Sequence, residues 1–81
     1  MDLRRFFRNG FDPKNIIVCK DMEVVFEKVN DFAVRRIIEL TNAKEYTLEE
    51  FKNEFKENLK IKKIEYTYTE SGEDAVALVF E

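Results

Sequence analysis

The chain has 81 residues, 44% of them hydrophobic, with eight Phe and three Tyr but only two Gly, one Pro, one Cys and no His. That is enough apolar material for one compact core, expected as a single domain over 1–81, and it excludes a disulfide framework, a His or Cys zinc site and the commonest general base. The net charge of −3 also excludes a generally basic nucleic-acid binder.

Charge is nonetheless uneven. Residues 1–38 carry eight Lys/Arg against six Asp/Glu, and residues 39–81 carry six against eleven. Such an asymmetry can steer an encounter with a charged partner without naming it. No apolar run approaches the roughly 18 residues of a membrane span, and no signal-like start is visible. A soluble, cytoplasmic protein with no membrane partner is expected.

The chain opens on "LRRFFRNGF", residues 3–11. Read as a short helix capped at Asp2, it gathers Leu3, Phe6 and Phe7 on one side and Arg4, Arg5 and Arg8 on the other. Gly10 then stands where a left-handed residue ends a helix, and Pro13 blocks continuation. "NIIVCK", residues 15–20, is β-branched and reads as a strand, with Cys19 a small buried hydrophobe.

"MEVVFEKV", residues 22–29, matches two templates. Met22, Val25, Phe26 and Val29 fit a helical stripe, while the density of Val and Phe favours a strand. The strand is preferred, because Asn30 then caps a following helix with Val29 and Val34 as its hydrophobic staple. That helix, over about 31–42, would turn Ala33, Val34, Ile37, Ile38 and Leu40 inward and Arg35, Arg36 and Glu39 outward, leaving Phe32 stranded among charges.

The next helix has the clearest signature. Thr47 and Glu50 form a capping box, and Leu48, Phe51, Phe55 and Leu59 line one face. The chain ends in a hairpin. Ile64, Tyr66 and Tyr68 share a face with Val76, Leu78 and Phe80 only if the loop has three or five residues, with Gly72 in an unusual dihedral. Ala75, Ala77 and Val79 make the last strand apolar on both faces, so it is expected to be central or covered.

The expected order is α-β-β-α-α-β-β, an α+β domain with an antiparallel sheet of about four strands and two helices on one face. The alternative, with 22–29 helical, is α-β-α-α-β-β and resembles a winged helix. There the helix starting at Thr47 would approach DNA with an acidic stripe of Glu50, Glu54 and Glu57, which argues against DNA reading by that helix.

Catalysis is not expected, nor any metal or cofactor. No phosphate-cradling or calcium loop exists, and Glu65, Glu70, Glu73 and Asp74 read as solubilising acids. The expectation is a small non-catalytic protein-binding module: an adaptor, a subunit or an inhibitor. The last would be of the phage or mobile-element kind, by size and charge alone. Its partner-binding surface would be the acidic stripe Glu50, Glu54 and Glu57 together with Phe32. Homodimerisation would be another use of Phe32 and the two-sided last strand. The alternative is a nucleic-acid-binding domain using Arg4, Arg5, Arg8, Arg35 and Arg36, which a steep salt dependence would reveal.

Overall fold

The computed structural model describes residues 13–55 and 60–81. Along them run β1 (Asn15–Val18), β2 (Asp21–Asn30), β3 (Ala33–Thr41), β4 (Lys44–Thr47), α1 (Leu48–Glu54), β5 (Ile61–Tyr68) and β6 (Asp74–Phe80). Four strands form a mixed sheet in the order β4-β1-β6-β5, in which β1 runs parallel to β6 and the other pairs are antiparallel. β2 and β3 form a separate two-stranded antiparallel ribbon.

The two-helix α+β expectation is therefore corrected, and so is its winged-helix alternative. Among the described residues the fold is mostly strand, in two sheets, with one short helix. The segment 31–42 is not a helix but the second arm of a hairpin. Asn30 explains the error: its Oδ1 accepts from the Phe32 backbone N–H at 2.8 Å, closing a turn two residues long. A helix N-cap makes nearly the same local bond. Val34, Ile37 and Ile38 are β-branched, and the run Ile38-Glu39-Leu40 alternates, as a strand requires. Paired to β2 over its whole length, the segment gains cross-strand side-chain pairs, such as Val24 with Ile38 and Glu27 with Arg35, that a lone amphipathic helix would not.

The other elements follow local chemistry. Thr47 Oγ1 accepts from the Glu50 N–H and the Glu50 carboxylate accepts from the Thr47 N–H, so the capping box is reciprocal. That carboxyl is held below its usual range chiefly by the Thr47 backbone bond. The helix ends at Glu54 with Phe55 as C-cap, short of the Leu59 end the apolar face suggested. Leu59 and the opening stretch 3–11 lie outside the described residues. Tyr68 pairs with Asp74 across a five-residue loop, and Gly72 takes φ +86° within it, as the face-matching argument required. Asn42, the residue type that best tolerates the left-handed region, turns β3 into β4 at φ +52°.

β6 is central, and its two apolar faces carry two core layers. On one face Val76, Leu78 and Ile16 pack under α1 with Tyr46, Phe51 and Ile61. Phe51 is fully buried, its ring 4.8 Å from Phe55 and 6.4 Å from Phe80. On the other face Ala75, Ala77, Val79, Ile17 and Cys19 lie under Met22, Ile38 and Leu40 of the ribbon. Small side chains on β6 let the ribbon sit close. Cys19 is buried as expected, its thiol donating towards the Leu78 carbonyl at 3.5 Å. Burial, reinforced by the Asp21 carboxylate, pushes the thiol's pKa up.

Candidate functional site: the projecting hairpin

The register of β2 on β3 sorts the ribbon into two faces. Met22, Val24, Phe26 and Lys28 stand opposite Leu40, Ile38, Arg36 and Val34 on one face; Glu23, Val25 and Glu27 stand opposite Glu39, Ile37 and Arg35 on the other. The first face docks the ribbon on the body, but only near its base. Met22 is buried and Val24, Ile38 and Leu40 are half-buried, whereas farther out Phe26 is 70% exposed and Val34 65%. Val29, at the register shift near the turn, is 57% exposed, and Phe32 at the turn is 99% exposed. The only other exposed large hydrophobics among the described residues are Tyr66 and Tyr68.

The ribbon is tied down by ion pairs along its base and middle. Lys63 on β5 donates to Asp21 at 2.7 Å and to the Met22 carbonyl at 3.2 Å. Asp21 is accordingly held below the usual carboxylate range, with the Lys63 hydrogen bond as the largest cause. Arg36 reaches back to Glu65 on β5. Arg35 pairs with Glu27 across the ribbon at 2.6 Å, which raises the guanidinium's pKa further, and Lys28 pairs with Asp31 at 3.4 Å.

Every cation on the distal ribbon thus already has a carboxylate. Exposed pairs of this kind contribute about 0–1 kcal/mol each, while burying one Val or Phe side chain contributes about 1.5–3 kcal/mol. Apolar contact, not charge, dominates what this surface can offer a partner.

The residues singled out from sequence fall in several places. Phe32 stands at the ribbon's turn rather than on a helix face. Arg35 and Arg36 are neighbours on β3 but point to opposite faces, each engaged by an acid, and so do not form one patch. Arg4, Arg5, Arg8 and Glu57 lie outside the described residues. Glu50 spends its carboxylate on the helix cap, and Glu54 is exposed at the helix end. Sequence reading did not mark Phe26, Val29 and Val34 as surface residues, because a helix or a covered strand would have absorbed them. The signal was present in Phe32: the one apolar residue that fitted no face belonged to a turn. Among the described residues no group of three His, Cys, Asp or Glu side chains could hold a metal, and no helix is long and apolar enough to cross a membrane.

Comparison with known proteins adds no relative: no family model, curated protein or solved structure matches the chain.

Proposed function

We propose that this chain is a small, non-catalytic, cytoplasmic protein-binding module, acting as an adaptor, subunit or inhibitor, and that it docks through the distal β2–β3 hairpin. The observation that carries this reading is Phe32, a large apolar side chain 99% exposed at the end of a ribbon that also exposes Phe26, Val29 and Val34. Contiguous apolar exposure on a small domain marks an interaction surface. A ribbon end also suits insertion into a partner's cleft, where both faces become buried at once. The internal neutralisation of Arg35 and Arg36 supports a protein over a nucleic-acid partner, since phosphate binding needs several free cations acting together.

The test is capture of partners from native lysate by the intact chain and by Phe32→Ser, with and without nuclease and at low and high salt. Burying Phe32 supplies about 1.5–3 kcal/mol, so the variant is expected to bind roughly 10- to 150-fold more weakly. Nuclease and salt are expected to change little. Loss of capture on nuclease treatment, with Phe32→Ser binding normally, would overturn the proposal.

A further inference from the structure

The hairpin reading leaves the partner's chemistry open, and β3 itself narrows it. Among the described residues β3 pairs as a strand with β2 alone, the Lys20 N–H reaching its terminal Thr41 carbonyl at 2.8 Å, so it lies at a sheet edge, and the register shift that distorts the ribbon falls on β2 between Lys28 and Asn30. Open, regular edges are templates for another strand. Beside this edge runs an open groove of about 660 Å³, lined by Ile38 and Leu40 of β3 with Ile17, Ala43, Glu45 and Glu70.

The sequence of β3, AVRRIIELT over nine residues, is complementary to itself in one antiparallel register. Pairing about a two-fold axis at Ile37 sets Arg35 opposite Glu39 of the second copy, and Glu39 opposite its Arg35. Val34 then meets Leu40, Ala33 meets Thr41, and Ile37 meets its own copy. Centring on Arg35, Arg36 or Glu39 sets like charges opposite one another; centring on Ile38 opposes no charges of opposite sign.

A second observation is independent of this pattern. Within one chain Glu23 and Glu39 stand directly opposite each other, and the ion pairs among the described residues involve neither. Like charges so placed repel. The proposed pairing brings Arg35 of the second copy to Glu39, so that a guanidinium held by its own Glu27 at 2.6 Å is shared between two carboxylates.

We propose, resting on the reading of the hairpin as a docking element, that its partner is a second copy of this chain: two β3 strands pair antiparallel about Ile37 into a four-stranded sheet β2-β3-β3-β2. The partner's Ala33–Ile37 half then lies along the groove, with Val34 over Leu40.

The test is sedimentation equilibrium of the full chain over a wide concentration range, with Arg35→Glu, Glu39→Arg and the double swap. A monomer–dimer equilibrium is expected. Each single reversal turns two attractive pairs repulsive and is expected to weaken the dimer by about tenfold or more. The double swap restores it. Glu39→Arg carries a second signature, because it places a cation opposite Glu23: the monomer is expected to melt higher while the dimer weakens.

Should Arg35→Glu fail to fold, Ile37→Cys keeps the test open. A residue on the two-fold has its Cα about 4.5–5.5 Å from its copy, within disulfide range, so mild oxidation is expected to give a covalent dimer, and Ile38→Cys is expected not to. A monomer at every concentration, or a dimer indifferent to both reversals, overturns the inference. A chain that stays monomeric yet captures a different protein through Phe32 removes the second copy and leaves the hairpin reading standing.

Discussion

Phe51 and Phe32 are the same residue type with opposite fates, and replacing each by alanine tests the architecture from both sides. Phe51 is fully buried and stacked on Phe55 and Phe80. Truncating such a side chain removes its transfer energy and leaves a cavity, at a cost of about 3–5 kcal/mol. At about 0.05–0.15 kcal/mol per residue, a domain of this length has roughly 4–12 kcal/mol in total. Phe51→Ala is therefore expected to lose much of its stability, and Phe51→Leu, at roughly 1–2.5 kcal/mol, gives a measurable variant if alanine does not fold. Phe32, fully exposed at the turn, is expected to change stability by no more than about 0.5 kcal/mol on truncation. Urea unfolding followed by circular dichroism, at the lowest workable protein concentration, reads all three. A cost above about 1.5 kcal/mol for Phe32→Ala, or below about 1 kcal/mol for Phe51→Ala, would refute the placement of the ribbon and the core.

Three further outcomes are expected. Gly72→Ala meets no neighbour within 4 Å but must hold φ +86°, so it should destabilise by about 1–2 kcal/mol through backbone strain alone, visible as a lower urea midpoint with unchanged slope. Cys19 is buried beneath the ribbon, in one layer with Met22 and Ala77, with its pKa raised, so thiol reagents should label the native chain far more slowly than the urea-unfolded one, at a rate set by opening of the ribbon. Asp21, Glu50 and Glu73 all have lowered pKa values, from hydrogen bonds donated by Lys63, Thr47 and Asn15 respectively. Their contribution is thus complete above the ordinary carboxylate range and lost as pH falls through and below it. Urea midpoints should drop on acidification through that window, and Glu73→Gln should make the drop shallower; an unchanged slope would contradict the Asn15 and Lys14 contacts.

What was legible in the sequence was local or two-fold periodic. The Thr47–Glu50 capping box, a loop of three or five residues with Gly72, and a last strand that is central or covered because both its faces are apolar were all readable, because each depends on residues near one another or on strict alternation. The parallel pairing of β1 with β6 was not readable, since residues some 60 positions apart meet only through the fold. Segment 31–42 failed for a different reason. Ala33, Val34, Ile37 and Ile38 satisfy a helical arc and a two-faced strand equally, and Asn30 starts a helix or a turn with nearly the same hydrogen bond. Pairing with β2 decided between them: Val34 meets Lys28 only six positions back, but Ile38 meets Val24 fourteen back and Leu40 meets Met22 eighteen back, farther than the periodicity of either segment alone can report. The surface followed from the same ambiguity: only once 33–41 is a strand do Phe26 and Val34 share an exposed face and Phe32 stand at its end.

The most direct test of the hairpin as the docking element is oxidative footprinting of the chain, free and with its captured partner. Protection of Phe32 and Val34, with the exposed side of α1 around Glu54 unchanged, is the expected result. Unchanged reactivity at Phe32, with protection confined to the helix, would contradict it.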